Sequence, residues 1–332
     1  MIKKKISIFG STGSIGKSLI NILKKDKKNF EVVLLTADKN YKDLIKQAKL
    51  FNVKNLIIKN EKSYNILKNS PLSKKVNIYK DFTKIKKIFK KKNDFIMSAI
   101  SGLSGLEPTL ISIKHTKNML IANKESIICG WNLIEKELKK NKTNFIPIDS
   151  EHFSIFSLLE NNRTDSIDKV YITASGGPFI DFPKKKFKKI SPKEALKHPS
   201  WQMGKKISID SATLMNKVFE VIEAKKIFNL DYKNISILTH PNSYVHSIIK
   251  FNNGLTKVLI HDPDMTIPIF NSIYCTNKKN INSKPLDIKI LNNLNLKKVD
   301  INKFPLVNLI KILPKNNSLF EPIITFFSII VL

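Results

Sequence analysis

Three acidic side chains carry the strongest chemical suggestion in the sequence. Asp149 and Glu151 fall in Pro147-Ile148-Asp149-Ser150-Glu151-His152, and Glu220 ends Asn216-Lys217-Val218-Phe219-Glu220. Residues two apart in an extended segment point the same way, so Asp149 and Glu151 are expected to share a ligand. Glu220 would complete a set of three carboxylates with no imidazole or thiolate. Such hard oxygen donors suit Mg²⁺ or Mn²⁺ and not Zn²⁺. Ordinary capping acids after a strand would leave the same Asp-Ser-Glu pattern. Ser175-Gly176-Gly177 offers a hydroxyl and open N–H groups to a phosphate, or else makes a plain turn.

The elements that must position these groups are legible in outline. Ile6 to Phe9 reads as a strand running into Gly10-Ser11-Thr12-Gly13-Ser14-Ile15-Gly16, with a helix from Lys17 to Leu23. A glycine-rich turn between first strand and first helix lets backbone N–H groups approach a pyrophosphate. The spacing does not fit a P-loop, because five residues separate Gly10 from Gly16 where four are needed. Tyr64 and Lys68 share the Tyr-x-x-x-Lys spacing of short-chain dehydrogenases, but come too early in the chain and read as helix surface. A second strand, Glu31 to Thr36, leads to Asp38-Lys39-Asn40, where an adenosine ribose would be read. Lys39 favours a 2′-phosphate there and Asp38 opposes one.

Further strands are expected at Asn55 to Ile58, Asp94 to Ile100, Asn118 to Ala122 and Asn144 to Ile148, with lysine-rich helices between them. That alternation predicts a parallel sheet. Farther on, Lys206 to Ile209 reads as a short strand and Asp210 or Ser211 as the N-cap of a helix. On it Leu214, Val218 and Ile222 give an apolar face, with Asn216, Glu220 and Glu223 on another. Ile235 to Leu238, Val245 to Phe251 and Thr256 to Ile260 read as strands, and His240, His246 and His261 as structural histidines. From about Lys284 the chain becomes a polar connector before an apolar tail.

Composition narrows the function classes. The formal charge of +31 invites a nucleic-acid reading, but Arg163 is the only arginine among 58 basic residues. Arginine supplies the bidentate contacts that base and phosphate readers use. Here lysines spread along the whole chain, so a binding stripe is not expected, while an anionic small substrate is favoured. Cys129 and Cys275 give neither a disulfide framework nor metal spacing. No apolar run approaches the roughly 20 residues of a membrane span, and a cytoplasmic location is expected.

Five stretches in order resemble the 1-deoxy-D-xylulose 5-phosphate reductoisomerases. They are Gly10 to Gly16, Ala122-Asn123-Lys124-Glu125-Ser126, Asp149 to His152, Ser175 to Phe179, and the whole run from His198 to Glu220. The resemblance implies an α/β chain with a Rossmann-like doubly wound parallel sheet, then an α+β catalytic domain and a truncated C-terminal helical segment. Residues 1–149 would bind NADPH, 150–284 would carry catalysis and the metal, and 285–332 would be connector and shortened end. That ending is expected to leave a less stable fold than in longer relatives.

The implied reaction rearranges 1-deoxy-D-xylulose 5-phosphate to a branched aldehyde. NADPH then reduces the aldehyde to 2-C-methyl-D-erythritol 4-phosphate for isoprenoid synthesis. By resemblance Asp149, Glu151 and Glu220 match the ligands of one Mg²⁺ or Mn²⁺, and Lys124, Glu151 and His198 the catalytic groups. Ser150, Ser175, Ser211, Asn216 and Lys217 match further substrate contacts, with Trp201 and Met203 joining His198 on a closing loop. Thr12, Gly13, Ser14, Ile15, Lys39, Asn40, Asn123, Glu125 and Gly204 match cofactor contacts. Asp38 stands where the family usually has glycine. A homodimer is implied, with neither nucleic acid nor membrane as partner. The alternatives are an inactive remnant of such an enzyme and another Rossmann oxidoreductase.

Overall fold

The computed structural model describes residues 2–159, 164–197, 204–274, 279–314 and 318–330. Among them the chain forms two compact units: Met1–Ser126 with Gly130–Ile148 and Ile269–Lys278, and Ile127–Cys129 with Asp149–Pro268 and Lys279–Leu332.

In the first unit, short Ile-, Leu- and Val-rich runs form strands β1 (Lys4–Phe9), β2 (Phe30–Ala37), β3 (Asn55–Ile58), β4 (Asn77–Tyr79), β5 (Asn93–Ser98), β6 (Thr116–Ile121) and β7 (Asn144–Pro147). They lie in one sheet in the order β4-β3-β2-β1-β5-β6-β7, with neighbouring strands parallel throughout. Ile6, Ile8, Leu34, Leu35, Ile57 and Ile96 are fully buried, as a sheet covered on both faces requires. β4 was not anticipated: it has three residues and only Ile78 is buried, too little pattern to read.

The strand order reverses at β1, which pairs with β2 on one side and β5 on the other. Ligands of such sheets bind outside the carboxyl ends of the strands at that reversal. The turn leaving β1 is held there: the Gly10 amide donates to Thr36 Oγ1 at 2.9 Å and the Ser11 amide to the Thr36 carbonyl at 2.9 Å. Gly10 has φ +78°, and a Cβ on it would sit 2.5 Å from the Ala99 carbonyl oxygen. A Cβ on Gly16 would lie 2.4 Å from the Gly10 carbonyl oxygen, so helix and turn pack backbone to backbone. The helix begins at Ser14, not Lys17, and runs to Lys24.

The second unit holds β8 (Ile167–Ala174), β9 (Ile235–Thr239), β10 (Val245–Phe251), β11 (Thr256–Ile260) and β12 (Lys297–Lys298), in the order β11-β10-β8-β9-β12. β8 and β9 are parallel and the other pairings antiparallel. The parallel pair needs a long crossover, and the helix Met215–Phe228 lies in it. That helix is buried from Met215 through Ala224. Its Val221, Ala224 and Phe228 pack with Val170, Ile172, Ile235 and Ile237 of the sheet. Fully burying one such side chain contributes roughly 1.5–3 kcal/mol.

Two sequence expectations are corrected here. Lys206 to Ile209 is not a strand: Lys205–Ala212 is a helix capped by Gly204. The alternating Ile207 and Ile209 mimic strand periodicity, but Lys206 pairs with Asp210 one turn on at 2.6 Å, as a helix places them. The next helix starts at Met215, since Leu214 takes a left-handed conformation (φ 60°, ψ 13°) between the two. Its two faces are as read, Val218 and Ile222 in an apolar cluster and Asn216, Glu220 and Glu223 among polar partners, and both are buried. The polar connector after Lys284 supplies β12, and the apolar tail forms the helix Phe320–Ile330. Its fully buried Glu321 accepts from Tyr232 Oη at 2.6 Å and pairs with Lys226 Nζ at 3.1 Å.

Of the three downstream histidines read as structural, His240 and His246 are buried and His261 is half-buried. His246 and His261 rings stack 3.6 Å apart, and His246 Nε2 donates to the His261 carbonyl at 3.1 Å. Burial, and then the neighbouring His261, hold the His246 pKa well below 6.5, and burial also lowers that of His261. The unfolded chain therefore takes up protons that the folded chain refuses. Stability from this pair is full above about pH 6.5 and is lost as pH falls below it. The melting temperature should fall on acidification through that region, and less steeply in His261→Asn. Gly10→Ala should destabilise the chain by about 2 kcal/mol or more, read as an earlier midpoint in urea.

Candidate active site

The predicted carboxylates do converge, by a different route from the one expected. β7 ends at Pro147, and Asp149 stands at the start of the helix Ser150–Leu159, where its carbonyl accepts the Phe153 amide at 2.8 Å. Glu151 lies in that helix's first turn, so helical geometry and not an extended segment brings it beside Asp149. Both acids sit at the helix's N-terminal end. Glu220 arrives from the middle of Met215–Phe228. One oxygen from each of Asp149, Glu151 and Glu220 lies within 4.8 Å of the others. Asp149 is half-buried, Glu151 9 % exposed and Glu220 1 %.

Burying acids together demands donors. Ser150 Oγ donates to Glu151 Oε2 at 2.6 Å, and Lys217 Nζ donates to Glu151 Oε1 and, at 2.7 Å, to Glu220 Oε2. Asn216 Nδ2 donates to Glu220 Oε1. Burial penalises the Lys217 charge, but Glu151 and Glu220 outweigh that and push its pKa above the usual lysine value. Ser247 Oγ of β10 donates to the Glu151 carbonyl at 2.9 Å, tying the acid helix to the sheet.

His152 and Glu223 join the edge of this centre. His152 Nε2 donates to the Glu220 carbonyl at 2.8 Å, and Nδ1 lies 3.9 Å from Asp149 and 3.8 Å from Glu223. Asp149, His152 and Glu223 also offer atoms within 4.8 Å of one another. The sequence signal was there in part: Glu223 was placed one turn beyond Glu220, whereas the approach of His152 to both acids needed the tertiary fold. The all-oxygen set of Asp149, Glu151 and Glu220 fits a hard divalent cation.

The predicted phosphate contacts gather in the same unit. Ser175 is half-buried and its Oγ accepts the Gly177 amide at 3.1 Å. Gly176 and Gly177 have φ of +86° and +62°, and a Cβ on Gly177 would meet the Ser211 carbonyl oxygen at 2.7 Å. The glycines thus let the Ser175 turn press against the end of the helix that carries Ser211. Gly204 is exposed at the start of that helix. His198, Trp201 and Met203 lie outside the described residues.

In the first unit, Gly13 precedes the helix Ser14–Lys24 with no side-chain cap on it, which leaves first-turn N–H groups for an anion. Thr12 and Ile15 are half-buried, and Gly13 and Ser14 exposed, along this turn. Lys39 and Asn40 are exposed after β2, where Asn40 caps the next helix through the Asp43 amide at 3.1 Å. Asn123, Lys124 and Glu125 are buried after β6. Asn123 caps the helix Lys124–Asn141 through the Ser126 amide at 2.6 Å and donates to the Gly102 carbonyl at 2.8 Å.

Family models agree with these motifs. One for 1-deoxy-D-xylulose 5-phosphate reductoisomerase matches residues 6–130, and one for the C-terminal domain of that enzyme matches residues 145–228. The reductoisomerase of Pelagibacter ubique (strain HTCC1062) is 61% identical over 323 residues, 97% of this chain and 83% of the relative. That of Wolbachia pipientis wMel is 40% identical over 307 residues, 92% of this chain and 78% of the relative. Among solved structures, the reductoisomerase from Zymomonas mobilis in complex with NADPH superposes with a TM-score of 0.84 at 32% identity, covering 93% of this chain and 80% of that one. A DOX-P reductoisomerase in complex with NADPH, fosmidomycin and magnesium gives 0.84 at 32%, covering 93% and 79%. With two models matched and 61% identity across almost its whole length, the chain belongs to the 1-deoxy-D-xylulose 5-phosphate reductoisomerase family.

Proposed function

We propose that Asp149, Glu151 and Glu220 hold the divalent ion of this chain's reaction, and that Ser150, Ser175, Ser211, Asn216 and Lys217 receive its phosphorylated substrate. The reaction is the family's: NADPH-dependent and metal-dependent conversion of 1-deoxy-D-xylulose 5-phosphate to 2-C-methyl-D-erythritol 4-phosphate in isoprenoid biosynthesis. The observation that carries the site reading is the meeting of three carboxylates within 4.8 Å, two of them nearly or fully buried. NADPH and magnesium are named in the related structures, and the donor chemistry of this chain suits both.

Lewis-acid polarisation of two substrate oxygens is what a divalent ion supplies there when bound. The chain's own groups do the remainder. Ser150 lies at the acid helix and binds near the reacting end. Lys124 offers an ammonium to developing oxyanion charge. Hydroxyls of Ser175 and Ser211, the Asn216 amide and the Lys217 ammonium are donors suited to a phosphate. His198, Trp201 and Met203 close over the substrate and exclude water by the family resemblance. The turn Thr12 to Ile15 presents amides to the cofactor's pyrophosphate, with Lys39 and Asn40 at its ribose and Asn123, Glu125 and Gly204 as further contacts. Two cysteines with no framework spacing support a cytoplasmic location, and the family likeness supports a homodimer. Among the described residues no helix is long and apolar enough to cross a membrane.

The test mixes the chain, NADPH, Mn²⁺ and 1-deoxy-D-xylulose 5-phosphate and follows NADPH absorbance. Glu220→Gln should lower turnover by roughly 10²-fold or more and weaken Mn²⁺ binding in a direct titration. Full activity in that variant, or turnover indifferent to a chelator, contradicts the ligand set and favours a metal-free oxidoreductase. Lys39→Glu should raise the KM for NADPH about tenfold, or 1.4 kcal/mol, while leaving that for NADH nearly unchanged.

A further inference from the structure

The two buried carboxylates of the metal set present four oxygens, and donors of this chain engage all four. Glu151 takes Ser150 Oγ on Oε2 and Lys217 Nζ on Oε1. Glu220 takes Asn216 Nδ2 on Oε1 and Lys217 Nζ on Oε2. The Lys217 ammonium thus bridges the two acids, and it does so from a residue only 8 % exposed. Each carboxylate oxygen keeps a second lone pair beside the donor it accepts, but an ammonium and a divalent cation drawn to the same oxygens stand close enough to repel one another.

We propose that Lys217, Ser150 and Asn216 form a resident donor set that the divalent ion displaces, and that this displacement turns the same three side chains toward the substrate. The inference rests on the metal assignment made above. It adds an order of events: the ion loads first, and the phosphate-binding ammonium becomes available because the ion has taken its carboxylates. Lys217 sits three residues before Glu220 and Asn216 four, so rotation about their own side-chain bonds releases them without moving the helix. The device stabilises the acids until the ion arrives and keeps the ammonium from capturing other anions.

Amine acetylation read by mass spectrometry follows the displacement in the unaltered chain. Lys217 should label slowly without metal and at least several-fold faster with saturating Mn²⁺, while the exposed Lys39 labels equally in both. Added sulfate should protect Lys217 again, but only when Mn²⁺ is present. In parallel, Lys217→Gln should bind Mn²⁺ about tenfold more tightly in an electron-paramagnetic-resonance titration, since a competing cation has gone. Mn²⁺ binding with unchanged Lys217 labelling overturns the exchange and leaves the metal assignment standing. Absence of Mn²⁺ binding to the unaltered chain overturns both. Failure of sulfate to protect Lys217 overturns delivery of the ammonium to an anion.

Discussion

Acids buried side by side repel one another, and the second unit is arranged around relieving that repulsion. Two unit charges 4 Å apart at an effective dielectric near 20 interact by about 4 kcal/mol. Three carboxylates with oxygens within 4.8 Å are therefore tolerable only with cationic and hydrogen-bonding partners. Lys217 supplies the charge, and Ser150 and Asn216 the remaining donors. Negative charge concentrated on hard oxygens suits a hard divalent cation by the same physics that makes it costly to fold.

Holding the acids in place needs two rigid helices that enter from different parts of the chain. The acid helix Ser150–Leu159 is tied to β10 through the Ser247 hydroxyl, and its positive end carries Asp149 and Glu151. The second helix is buried on all sides through Ala224, so Glu220 has no solvent to retreat to. Leu214, left-handed and 1 % exposed, turns the chain between the helix bearing Ser211 and the one bearing Asn216, Lys217 and Glu220. A leucine tolerates that strain because its side chain is sunk in the core beside Val221 and Ile237. Far along the sequence, Glu321 reaches back to Lys226 in the last turn of this helix and to Tyr232 beyond its end, so the apolar tail is bound into the unit that carries the acids.

The first unit follows a simpler logic. A parallel sheet reverses its strand order at β1, and a turn of glycines sits at the reversal because nothing larger clears the Ala99 backbone. The constraint is steric at Gly10 and Gly16, where a Cβ would meet backbone at 2.5 and 2.4 Å, and this is why glycine stands at both ends of the turn. Ser175-Gly176-Gly177 was legible for the same reason: a left-handed turn pressed on Ser211 needs glycine.

By itself the sequence determined what depends on neighbours along the chain or on residue type. It specified six of the seven strands of the parallel sheet, the glycine turn after β1, and three acids, Asp149, Glu151 and Glu220, whose oxygens come together. It misplaced elements where tertiary packing overrides local pattern: Lys206 to Ile209 as a strand, and a helix opened at Asp210 or Ser211 that instead starts at Met215. Only the tertiary structure decided that Lys217, matched by family resemblance to a phosphate contact, lies across Glu151 and Glu220, and that His152 approaches Glu223. Those pairings join residues 66 and 71 positions apart, and no local spacing encodes a contact made when two distant helices are desolvated together.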